Sequence, residues 1–311
     1  MLKRSGRRAK ASRLAANESQ RYSVWDLVKA TFISWWSDNA PRLGASLAFY
    51  ALFSVAPLLV FAVMLVGLFY GPEAAQGRVA EQMQGIMGDE PAQALQSLIA
   101  SFHRSGGSPW ATALSTAALL FGASGVLTEL QAALNQIWKV RPKPTAPWLQ
   151  TIRNRALTYL MVFVIGALFV ALLLLSSAVT ASWELVGSEL PFSGNLAHAI
   201  NYLVTLMIET ILLALVFKLL PDAEIAWKDV WIGAFVTAIL FAIGNLLIGL
   251  YLGSSTVKTA YGAAGSLAVF LLWTYYSAQI VYLGAEFTQV YARRCGSKII
   301  PQAGAEEISI A

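Results

Sequence analysis

The amino-acid sequence predicts an all-α, polytopic membrane protein with six transmembrane helices and both termini cytoplasmic, flanked by amphipathic interfacial and outer-loop helices. Three observations predict it. Hydrophobic residues make up 57% of the 311 residues, charged residues only 13%, and mean hydropathy is +0.59, well above the composition of a soluble domain. Apolar runs recur along the chain, each at least as long as the roughly 20 residues that cross a hydrocarbon core of about 30 Å. Most Lys and Arg fall in the tails and in alternate loops, which is the pattern of positive residues on the cytoplasmic side. The net charge of +5 is therefore a matter of topology, and no nucleic-acid partner is expected.

The basic segment 1–22 lacks the apolar core and small-residue cleavage site of a signal peptide, so a retained, disordered cytoplasmic tail is expected there. One membrane domain then occupies 23–294, and 295–311 forms a second cytoplasmic tail. From Ser23 to Trp36 the residues Val24, Leu27, Val28, Phe32, Trp35 and Trp36 share a helical face, with Ser23 and Asp26 at capping-box spacing. This helix either lies in the headgroup region, where its tryptophans and Lys29 suit an anionic leaflet, or packs on the membrane domain.

A polar lip at Asp38, Asn39, Pro41 and Arg42 leads into the first crossing, Arg42 to Tyr70. Gly44, Ala45, Ser46 and Ala48 permit close helix contact there. Pro57 removes a backbone donor near the middle, so a kink or a local unwinding is expected. Residues 71–109 are too polar to cross but carry apolar residues at helical spacing, interrupted near Gly88 to Pro91. Two short amphipathic helices on the outer side fit that pattern.

The second crossing, Trp110 to Leu134, is rich in small residues and carries Glu129; a basic, proline-rich loop follows from Trp138 to Arg155. The third, Ala156 to Ser182, has the most lipid-facing composition. The fourth, Leu196 to Leu220, holds Glu209 near its middle. The fifth, Val230 to Leu252, contains Gly233, Gly244 and Asn245, and the sixth, Ser266 to Tyr291, contains Gln279 and Glu286 before Arg293 and Arg294.

Ionisable side chains inside crossings are costly and usually face the bundle interior or a water-filled cavity. Glu209, nearest the midplane, is the first candidate: it binds a cation, relays a proton or holds a polar headgroup, or it is a structural carboxyl bonded between helices. Arg42, Glu129 and Glu286 lie at similar depth near the inner side, where they form either an ion-paired register lock or a polar site. Asn245 and Gln279 suit hydrogen bonds between helices or the lining of a pathway. Enzyme chemistry is not expected. The chain has two histidines, His103 and His198, and one cysteine, Cys295, and no spacing of a metal site, nucleotide loop or nucleophile triad. No metal or cofactor is expected.

Four segments carry a family resemblance: DNAPRLGASLAFYALFSVAPLL at Asp38 to Leu59, FGASGVLTELQAALNQIW at Phe121 to Trp138, LLPDAEIAWKDVWIGA at Leu219 to Ala234, and YGAAGSLAVFLLWTYYSAQIVYLGAEFTQVYA at Tyr261 to Ala292. On these the chain resembles the YihY/BrkB family of bacterial inner-membrane proteins from about Ser23 to Arg294, with no match in the tails. The resemblance implies six helices in the bacterial inner membrane with cytoplasmic termini. Members have carried the name ribonuclease BN, an attribution regarded as mistaken, and that of a serum-resistance virulence factor, and a role in moving lipids has been suggested. Two functional classes follow: a transporter-like protein that binds or translocates a lipid or other amphipathic envelope component, and a non-transporting scaffold that anchors envelope proteins. A ribonuclease is a distant third. Membrane lipids are the expected partners, envelope proteins are possible ones, and the oligomeric state is open.

Overall fold

The computed structural model describes residues 23–54, 125–143, 193–254, 265–297, 299–302 and 304–308, together with positions 84 and 93. Pro57, nearly all of the outer segment 71–109 and the third crossing 156–182 lie outside the described residues.

Helix α1 (Val24–Ser37) starts where Ser23, in extended backbone, accepts a hydrogen bond from the Trp25 N–H at 3.3 Å. That bond satisfies one of the free amides of the first turn. Leu27 and Thr31 are buried against α6, while Val24, Trp25, Phe32, Ile33 and Trp36 are exposed. The packing expected for this segment is therefore present: one stripe lies on the bundle, and Trp25 and Trp36 face away from it. Asn39, at a positive φ of 56°, ends the turn, a conformation that asparagine tolerates. Helix α2 (40–54 among the described residues) follows, with Pro41 in its first turn where no amide partner is lost.

Helix α3 (125–137) ends at Trp138 and at Lys139, which holds a positive φ of 58°. Helices α4 (Ser193–Leu219), α5 (Trp227–Ser254) and α6 (Gly265–Arg294) contain the stretches Tyr202–Leu219, Trp227–Ile248 and Leu267–Arg294, each long and apolar enough to cross a membrane. Their limits fall within about three residues of the fourth, fifth and sixth crossings expected from sequence, inside the usual uncertainty of helix ends.

Helix α5 packs on both α4 and α6. Its contact with α6 is antiparallel and reciprocal. A methyl group at Gly233 would collide with Thr288, and one at Gly284 would collide with Thr237. Each threonine bonds its own helix four residues back, Thr237 Oγ1 to Gly233 O at 2.6 Å and Thr288 Oγ1 to Gly284 O at 2.7 Å. The hydroxyls are thereby satisfied and the side chains are free to fill the opposing glycine. Gly44 likewise receives Gln279, and Gly125 receives Tyr50, so the small residues act as points of close approach between helices. A buried cluster among the described residues joins Ala40, Leu43, Ile137, Trp138, Phe217 and Tyr282 from four helices and the turn after α3.

The all-α expectation needs one addition, at the basic end of the bundle. Strand β1 (Val140–Pro142) pairs antiparallel with β4 (Ala305–Glu307), and β2 (Ala223–Glu224) with β3 (Ile300–Pro301). The residues after α6 thus fold back and join the loops that follow α3 and α4. These strands are two or three residues long, too short for alternation of apolar and polar residues to announce them.

Candidate functional site

Glu286 occupies the centre of the polar site. It lies on α6, is fully buried, and neither carboxyl oxygen has a hydrogen-bond donor among the described residues. Its neighbour across the helix contact is Asp38, the residue that ends α1. Asp38 is itself buried and forms a close ion pair, through both oxygens, with Lys139 at the end of α3. The left-handed backbone at Lys139 is uncommon for a side chain of this size. Two tethers hold it: the ammonium on Asp38, and the Lys139 carbonyl, which accepts from the Ile308 N–H at 2.8 Å. Gln136 Nε2 completes the junction by donating to the Asp38 carbonyl at 2.6 Å.

Two further side chains share the Glu286 side of α6, at the helical spacings i−4 and i−7. The Tyr282 hydroxyl is buried and has no hydrogen-bond partner among the described residues. Gln279 Nε2 donates to Ala40 O at 3.3 Å, leaving Gln279 Oε1 buried and unpartnered. Polar oxygens therefore line the contact of α6 with α2 and α3, within apolar surroundings.

A second cluster anchors the loop between α4 and α5. Asp222 accepts from Asn135 Nδ2 at 2.8 Å and from Gln131 Nε2 at 3.3 Å, while its own N–H donates to Asn135 Oδ1 at 2.7 Å. Its carbonyl accepts from the Gln302 N–H at 3.0 Å, which brings in the chain beyond α6. Asp229, buried in the first turn of α5, accepts from the Ser297 N–H at 2.8 Å. Acceptors near a helix N-terminus suit the dipole there.

The residues expected from sequence divide as follows. Glu286 and Gln279 are in the polar row. Glu129 is half-buried on α3 and lies close enough to Tyr282 to act on it electrostatically. Arg42 is exposed at the start of α2, and the cation beside Glu286 is Lys139 instead. Glu209 is half-buried near the middle of the α4 stretch, apart from this cluster in sequence. Asn245 is half-buried on α5, next to the close approach of Gly244 to Tyr276 and Ile280. Pro57 lies outside the described residues.

Sequence reasoning did not single out Asp38 as a partner, nor Lys139, Asn135 or Asp222. Gln131 and Asn135, four residues apart and so on one side of α3, were the available signal. Their partner, Asp222, sits in the loop between α4 and α5, about 90 residues further along the chain.

Long apolar helices, glycine-mediated close contacts and polar groups enclosed between helices define a helical membrane protein. The chain belongs to the family described as virulence factor BrkB, which matches residues 31–308. The match corrects the expectation that the resemblance stops at Arg294, since it includes β3 and β4, the strands that close the basic end. A UPF0761 membrane protein of Tolumonas auensis is 29% identical over 284 residues, covering 89% of this chain and 87% of that protein. One from Halorhodospira halophila is 26% identical over 254 residues, covering 81% of this chain, and one from Rhodospirillum centenum is 25% identical over 264 residues. The chain spans 54% of the length of each of these last two relatives. No solved structure matches the chain.

Proposed function

We propose that this protein is transporter-like, binding or translocating a lipid or another amphipathic component of the cell envelope. It sits in the bacterial inner membrane, with its basic end and both termini in the cytoplasm. The observation that carries the proposal is Glu209, a carboxyl half-buried near the middle of an apolar stretch long enough to span. A carboxyl at such a depth is expensive for a bundle that only needs to pack. The row of enclosed oxygens along α6 supports the same reading, because polar groups inside a bundle suit a headgroup better than a lipid-facing surface does. No catalysis is assigned. The scaffold alternative depends on the outer segment 71–109 and the tails, most of which lie beyond the described residues.

The test is lipid retention. Protein purified in mild detergent should carry a defined lipid through size exclusion, read by native mass spectrometry. Glu209→Gln should lower its occupancy several-fold while leaving the unfolding temperature within a few degrees. Equal occupancy in the wild type and the variant would remove Glu209 from the binding site.

A further inference from the structure

The charges around Glu286 do not balance. Two buried carboxyls, Asp38 and Glu286, face one ammonium, Lys139, and both oxygens of Asp38 already engage that ammonium. Arg293, the other cation that acts on Glu286, is two turns further along α6 and pairs with Glu307 at 3.6 Å. Glu286 is left with a neighbour that can only accept. Two carboxylates in that relation repel, and a fully buried ion without a counter-charge is strongly disfavoured. A positive species between them resolves both problems.

Buried oxygen continues along the helix from this point. Among the described residues, the hydroxyl of fully buried Tyr282, four residues before Glu286, has no partner, and neither has Gln279 Oε1. Oxygen ligands of this kind, carboxylate, hydroxyl and amide carbonyl, are those that hard cations take. Buried polar atoms without protein partners are also where ordered water is held.

We propose that Glu286 and Asp38 bind one monovalent cation, a proton or an alkali-metal ion, with the Tyr282 hydroxyl as the next oxygen along α6. The bound charge joins α6 to the turn between α1 and α2. The groups that face it are Asp38 from that turn, Lys139 from the end of α3 and Arg293 from α6 itself. The cation site rests on Glu286 and Asp38 and not on Glu209, so a failure to find lipid translocation leaves it standing.

The experiment uses the full chain in lipid nanodiscs. Its unfolding midpoint is followed in two series: sodium or potassium exchanged against choline at fixed pH and ionic strength, and pH varied in choline alone. The wild-type midpoint should rise with the logarithm of the concentration of one of these cations, and Glu286→Gln should abolish that slope. A slope in the first series assigns an alkali ion, and one confined to the second assigns a proton. A wild type indifferent to both, or a Glu286→Gln protein with the wild-type slope, overturns the proposal. Should Glu286→Gln not fold, the wild-type infrared difference spectrum decides: a carboxylate change on the alkali-ion exchange at fixed pH, or a protonated-carboxyl band that persists at a pH where exposed carboxylates are ionised, supports the site, and the absence of both refutes it.

Discussion

At the scale of single residues, Lys139 carries more than its position at a helix end suggests. Its side chain neutralises Asp38, its carbonyl holds Ile308, and its backbone takes a left-handed conformation that costs about 1–2 kcal/mol for an L-residue. Glycine would relieve that conformational cost, yet it would leave Asp38 buried beside Glu286 with no cation. Removing one partner of a buried pair typically costs about 3–5 kcal/mol, which exceeds the conformational gain. Lys139→Gly should therefore lower the unfolding temperature in detergent, and Lys139→Ala should lower it further. Asn135→Ala should cost about 1–3 kcal/mol, because it removes one donor to the Asp222 carboxylate and the acceptor of the Asp222 N–H together. The sequence made Glu286 visible as an ionisable residue in an apolar run. It did not reveal which cation lies beside it. Arg42 was the cation expected there, and the Asn39 turn decides otherwise: it sets Asp38 against Lys139 at the end of α3 and leaves Arg42 exposed.

At the scale of elements, the α5–α6 contact depends on two interlocked pairs, Gly233 with Thr288 and Thr237 with Gly284. Gly284→Ala should destabilise the protein by about 1–3 kcal/mol, the usual result of overpacking. Combining it with Thr237→Ala should recover part of that loss, since the colliding side chain is then shortened; a thermal double-mutant cycle reads the coupling. Strand pairing at the basic end is electrostatically matched. Arg141 lies opposite Glu306 in the β1–β4 register and bonds it at 2.8 Å. An exposed pair of this kind contributes roughly 0.2–1 kcal/mol. Arg141→Glu should accordingly speed hydrogen exchange at Ile308, and the swap Arg141→Glu with Glu306→Arg should slow it again. Helices α4 to α6 were legible because apolar composition over more than 20 residues is a strong signal. The strands were not, because their order comes from partners about 80 and 165 residues away in the chain.

At the scale of the whole molecule, the basic end is where separate parts of the chain are tied together. The turn after α1, the end of α3, the loop after α4 and the residues beyond α6 meet through Asp38, Lys139, Asn135, Asp222 and Asp229. Family membership extending to residue 308 includes this junction. The proposed activity calls for a firm end of this kind beneath helices that must part to pass a headgroup. On this reading, lipid moves through the bundle under the influence of Glu209. The most direct measurement is translocation of headgroup-labelled phospholipid in liposomes containing the purified protein. A rate well above that of protein-free vesicles is expected, reduced at least tenfold by Glu209→Gln. Wild-type vesicles no faster than protein-free ones, across anionic and zwitterionic lipids, would contradict it.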